Sequence, residues 1–132
     1  LMLRIRAFAN ALFENAAVEL DFDYPEPLPD RAIGATFRRN IYLIVREALH
    51  NARKYSGASI ITLYWQHDAH GFDLAVVDNG SGITTSVPQG SGHGTVNMRE
   101  RALEVNATFE RGPGPDGGTE VRVFGRSSCL DE

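Results

Sequence analysis

The chain has one cysteine and one lysine among its 132 residues. Cys129 alone can form neither an intramolecular disulfide nor a cysteine-type structural zinc site, which suits a reducing compartment. The lone lysine, Lys54, follows Arg53 inside a stretch of helical periodicity, so no Walker A phosphate loop can be built around it. No run approaches the roughly 18 apolar residues of a membrane helix. Leu1 to Ala9 is interrupted by Arg4 and Arg6, unlike a signal peptide. The expectation is a cytoplasmic chain without direct membrane contact. Basic excess is missing too: at a net charge of −4 the chain is no general nucleic-acid binder, because that affinity comes from clustered Lys and Arg displacing counterions. Small anions at local sites stay open. Asn79-Gly80-Ser81 and Asn106-Ala107-Thr108 match the glycosylation pattern, but a cytoplasmic chain would not meet the enzyme.

What is present is an ordinary globular composition, 42% hydrophobic and 23% charged. A chain of this length buries roughly two thirds of its unfolded surface, enough for one core, so residues 1–132 read as a single domain. Leu3, Ile5, Phe8, Leu12 and Phe13 recur at helical spacing, and Val18, Leu20 and Phe22 then alternate with carboxylates as in a strand. Tyr24 to Pro29 holds three prolines and reads as a loop. From Thr36 to Tyr55, Phe37, Ile41, Ile44, Ala48 and Ala52 form an apolar stripe of a long helix that Gly57 can stop. Ser59 to Gln66 and Phe72 to Val77 read as a hairpin. A glycine-rich segment over 80–94 is too flexible for an element and long for a connection. Thr95 to Val105 resumes a helix that Asn106 can end in the left-handed conformation, and Thr108 to Glu110 and Glu120 to Phe124 read as closing strands. This order predicts an α+β two-layer sandwich whose mixed, largely antiparallel sheet is covered on one face by helices.

Three local patterns carry chemistry. Glu47 and Asn51 lie four residues apart, project from one helix face at the edge of the apolar stripe, and can converge on one ligand. An Asn carbonyl together with phosphates suits Mg²⁺, a hard cation that keeps oxygen ligands. Taken alone, the pair reads first as a solvated edge, with Glu47 against Arg46, Arg53 or Lys54. Asp78 follows an apolar strand and precedes a glycine turn, where a carboxylate can accept from an exocyclic amine or close an ordinary Asx turn. Gly90-Ser91-Gly92-His93-Gly94 abuts a helix start, whose exposed N–H groups form an anion site unless the segment is a plain linker. Gly112 to Gly117 matches G-x-G-x-x-G in letters only: it carries two prolines and leads into a strand, as a hairpin turn does. His67, Asp68 and His70 fall at a hairpin tip and read as solvated, and Tyr64 and Trp65 as packing residues.

Taken in order, EALHNARKYS, VVDNGSGI, GSGHGTVNMRERA and GGTEVRV resemble the N, G1, G2 and G3 boxes of the GHKL, or Bergerat-fold, ATPases. The short segment ending GHG and the helix with Met98-Arg99-Glu100-Arg101 look most like the ATP-binding catalytic domains of sensor histidine kinases paired with LuxR/NarL-type response regulators. The resemblance implies ATP and Mg²⁺ as ligands and residues 80–94 as a flexible ATP lid. It implies that Asn51 binds Mg²⁺, Asp78 the adenine amino group, Gly80 and Gly82 the base, and Gly92, His93 and Gly94 the phosphates. Thr119 would lie beside the base, Lys54 near phosphate, and Glu47 at the catalytic position that activates water in hydrolytic members. Tyr55 stands where histidine is common, Thr95 where leucine is usual, and Val105-Asn106-Ala107 replaces a glycine pair.

The helical hairpin that bears the phosphoacceptor and dimerises the kinase is not in this chain, and His50 lies inside the nucleotide helix. The implied function is therefore to present the γ-phosphate of MgATP to a histidine on that separate helical domain, with a response regulator downstream. The isolated domain is expected to be monomeric and the intact kinase a homodimer. A GHKL ATP hydrolase, an anti-sigma-factor serine kinase and a non-catalytic nucleotide sensor are the alternatives.

Overall fold

The structure, a computed structural model, describes residues 1–24, 33–80 and 90–132, with Tyr55, Ser56 and residues 90–94 described by their backbone alone. The proline-rich stretch beyond Tyr24, and Gly82 with most of the glycine-rich segment, lie outside the described residues. Helix α1 spans Met2–Leu12. Its buried stripe is Met2, Ile5 and Ala9, continued by Phe13, whereas Leu3 is 77% exposed. Steps of three and four residues keep those positions on one face, and Leu3 falls off it. Strand β1, Glu19–Asp23, turns Leu20 and Phe22 inward between carboxylates.

Helix α2, Ala35–Asn51, buries the expected Phe37, Ile41, Ile44 and Ala48, and with them Asn40, Val45 and Leu49. No side chain caps its start. The carbonyl of Glu132 instead accepts from the N–H groups of Thr36 and Phe37 at 3.2 and 3.4 Å, and the Gly34 N–H donates to the Leu130 carbonyl at 2.7 Å. These are orphan donors that every helix must satisfy. Gly34 permits the approach, since a Cβ there would stand 2.3 Å from the Glu132 carbonyl oxygen. A 3-10 turn at Ser127–Asp131, unforeseen in the sequence, delivers that carbonyl. It is anchored by buried Leu130 and by Cys129, whose Sγ donates to the Asn106 carbonyl. Burial pushes the Cys129 thiol pKa up. At its other end α2 passes into a π-helical turn, Ala52–Ser56, before Gly57 stops it with φ 61°.

Strands β2, Ile60–His67, and β3, Gly71–Asp78, form the expected hairpin. At its tip the Asp68 carboxylate accepts from the N–H groups of His70 and Gly71, bonds that hold its pKa below the ordinary carboxylate value. Among the described residues no group of three His, Cys, Asp or Glu side chains is placed to hold a metal ion, this tip included. Helix α3 spans Gly90–Glu104 and Asn106 follows at φ 60°, in the left-handed conformation expected of it. Its start lies five residues before Thr95, because glycine can adopt helical dihedrals even though each one weakens a helix by about 1 kcal/mol relative to alanine. Strands β4, Thr108–Pro113, and β5, Thr119–Arg126, close the sheet around the expected turn.

The sheet order is β1-β2-β3-β5-β4, parallel only between β1 and β2, which α2 joins as a crossover. Alternation sends Ile61, Leu63, Trp65, Leu74, Val76, Phe109, Val121 and Val123 to the helix-covered face, where α2 lies between α1 and α3. The predicted two-layer α+β architecture is the one observed. Trp65 is packing, as expected: it is 1% exposed and stacks on Phe72 at 5.8 Å between centroids. On the open face Arg122 Nε donates to Asp73 Oδ1 at 2.8 Å, and this pairing raises the pKa of the guanidinium further.

Candidate functional site

Asp78 is the last residue of β3 and only 6% exposed. Strand alternation turns it toward the helices with Leu74 and Val76. Its Oδ1 accepts from the N–H of Gly80 at 2.9 Å and from the N–H of Thr119, 41 residues away, at 3.3 Å. Among the described residues no hydrogen bond reaches Oδ2. Among these residues the fold therefore takes up Oδ1 alone, and a carboxylate oxygen is an acceptor only. Thr119 reaches Asp78 because the turn between β4 and β5 presses on the end of β3. A Cβ on Gly118 would stand 1.8 Å from the Asp78 carbonyl oxygen and 2.5 Å from Oδ1, so only glycine fits there.

Asn79, passed over in the sequence, fixes where Asp78 ends up. Its Oδ1 accepts from the N–H groups of Ser59 and Ile60, both at 2.9 Å, and its Nδ2 donates to Ser59 Oγ at 3.0 Å. The end of β3 is thereby tied to the start of β2. Asn79→Ala is expected to lower stability by about 1–2 kcal/mol, since net contributions of such bonds are near 1 kcal/mol and these lie toward solvent. Urea unfolding monitored by Trp65 fluorescence measures it. An unchanged midpoint would show that the tie contributes nothing.

Asn51 is the final residue of α2, half-buried, and among the described residues no hydrogen bond or ion pair engages its side chain. The π-helical turn begins at the next residue, and such turns recur at functional sites. Lys54 lies on that turn and is exposed. Glu47 sits one turn back, half-buried, in a cleft of about 190 Å³ between α2 and α3 that His50, Asn97 and Arg101 also line. Among the described residues no ion pair reaches it, so the expected alternatives of pairing with Arg46, Arg53 or Lys54 are not seen.

Residues 37–126 match the histidine kinase-, DNA gyrase B- and HSP90-like ATPase family. The chain belongs to this family. It is 31% identical over 103 residues to the sensor protein VraS of Staphylococcus epidermidis, an alignment covering 78% of this chain and 27% of that one. The chain therefore spans about a quarter of the length of that relative. In fold it is similar to the ATP-binding domain of PrrB from Mycobacterium tuberculosis, with a TM-score of 0.64 at 24% identity over 89% of this chain and 85% of that one. The blue-light activated histidine kinase of Erythrobacter litoralis EL346 aligns with a TM-score of 0.71 at 19% identity, over 93% and 42% of the two chains.

Within this ATPase fold, the structure joins Asp78, Gly80 and Thr119 by direct hydrogen bonds and adds Gly118 and Asn79 to them. Gly92, His93 and Gly94 lie in the first turns of α3. Thr95 accepts from Arg111 Nη1 of β4 at 3.3 Å. Only the second glycine of Gly-Gly-Thr could have marked the approach of Gly118 in advance. The role of Asn79 has no local signal, because its partners lie 19 and 20 residues back.

Among the described residues, no helix is long and apolar enough to cross a membrane.

Proposed function

We propose that this ATPase-family domain binds MgATP and presents the γ-phosphate to a phosphoacceptor histidine on a separate helical domain of a two-component sensor kinase. The observation that carries it is the buried Asp78 carboxylate, with Oδ1 held by Gly80 and Thr119 and no hydrogen bond to Oδ2 among the described residues; Oδ2 would accept from the adenine amine. Gly80 and Gly82 would let the base approach closely, and Thr119 would flank it. Asn51 fits a Mg²⁺ ion: its half-buried side chain is unengaged among the described residues, and one carbonyl oxygen with phosphates and water is a usual set for this cation. Gly92, His93 and Gly94 at the start of α3 would meet the phosphates, where helix N–H groups favour an anion. Lys54 would add a nearby positive charge. Phosphoryl transfer needs positioning and charge neutralisation above all, which is what these groups supply. Glu47, facing the α2–α3 cleft, would meet the incoming acceptor. The remaining partners are the dimerising helical domain of the same kinase and a response regulator, in the cytoplasm.

The test is to incubate this chain with radiolabelled MgATP, alone and with a purified acceptor domain of a sensor kinase. Binding without self-labelling, and an acid-labile label on the acceptor, are expected. Acid-stable label would indicate a serine kinase. Steady phosphate release by the lone chain, lost on Glu47→Gln, would indicate a hydrolase. Strong labelling of His50 would overturn the division of labour.

A further inference from the structure

Helix α3 opens on Gly90, Gly92 and Gly94, residues that each disfavour a helix by about 1 kcal/mol relative to alanine. A first turn of this composition has little helix propensity of its own to hold it, since initiation is the costly part of a helix. Further along, α3 is fixed: Met98, Ala102 and Val105 at its end are buried, and the Arg99 guanidinium lies over the Phe109 ring of β4 at 5.2 Å. Between these regimes stands Thr95, the hydrogen-bond partner of Arg111. Arg111 is two residues from buried Phe109 and so emerges on the helix-covered side of the edge strand. It is also paired with Val121 of β5, two residues from Thr119, which donates to Asp78. One hairpin therefore holds the Asp78 carboxylate at its tip and the start of α3 at its side.

We propose that Arg111 is a positioning residue for the phosphate end of the nucleotide site: by donating to Thr95 it holds the glycine-rich first turn of α3 in register with the base pocket around Asp78. The proposal rests on the nucleotide-binding reading above. A link of this kind affects ligand atoms at the start of α3 and leaves the recognition of the base alone.

The experiment titrates MgATP and adenosine separately into the wild type, Arg111→Ala, Arg111→Lys, Thr95→Val, the double variant Arg111→Ala/Thr95→Val, and Asp78→Asn. Arg111→Ala and Thr95→Val are each expected to weaken MgATP about tenfold, the loss of one charge-assisted hydrogen bond, and to leave adenosine unchanged. The double variant should be no weaker than either single one, as for two ends of one bond, and Arg111→Lys should recover part of the affinity. Equal losses for MgATP and adenosine, or additive losses in the double variant, would overturn the proposal. Should Arg111→Ala not fold, Thr95→Val carries the same comparison. If Asp78→Asn weakens both ligands while the Arg111 and Thr95 variants bind like wild type, the inference alone fails. If Asp78→Asn also binds like wild type, the site reading fails and the inference with it.

Discussion

Asp78→Asn is expected to leave the protein folded and to weaken MgATP binding roughly tenfold to a hundredfold, the range for losing a hydrogen bond to a buried charge. The two carboxylate oxygens are affected differently. An asparagine oriented with its carbonyl oxygen at the Oδ1 position still accepts from Gly80 and Thr119, so the end of β3 keeps its bonds. At the Oδ2 position the substitution places an NH₂ group. Two donors then face one another when an exocyclic amine arrives, and a buried unmatched donor carries its full desolvation cost. Calorimetric titration alongside thermal unfolding separates the effects. Wild-type affinity in a folded variant would remove Asp78 from the site.

Gly118→Ala acts on the same carboxylate from behind and is expected to cost about 2–4 kcal/mol of stability, with nucleotide affinity falling too. Its added methyl would stand 1.8 Å from the backbone carbonyl oxygen of Asp78, and that oxygen belongs to a strand residue paired with Ile61 of β2 that cannot swing aside as a side chain would. The β4–β5 turn must lift, which stretches the Thr119 bond to Asp78. Overpacking without room to relax commonly costs in this range. Gly112→Ala, on the same hairpin, is the control: its added Cβ meets nothing within 4 Å, so a change within about 0.5 kcal/mol is expected. Urea denaturation of both variants measures the difference. Equal midpoints would show that the turn does not press on Asp78.

These two residues also separate what local sequence specifies from what it does not. Asp78 could be singled out beforehand, because an apolar run ending in a carboxylate before Asn-Gly is a local pattern, and the stripe from Phe37 to Ala48 was local in the same way. Asn106 was likewise legible, since few residues accept a positive φ and asparagine is one. In the N-terminal helix Ile5, Phe8, Leu12 and Phe13 of the expected stripe do pack into or against the core, but apolar residues fall on more than one face of α1, and only packing leaves Leu3 outside while Ala9 goes in.

Gly118, Asn79, Gly34 and Arg111 were not identified as site or fold determinants, and they share one physical reason. Each acts on a partner brought near by the fold: the end of β3, the start of β2, the C-terminal turn over α2 and the start of α3. Periodicity, turn chemistry and the order of the four motifs specified the main helices and strands, the architecture and the family, because those depend on neighbours along the chain. That Asp78 Oδ1 is held depends in part on a backbone N–H 41 residues away, and only the docking of the β4–β5 turn against β3 decides that.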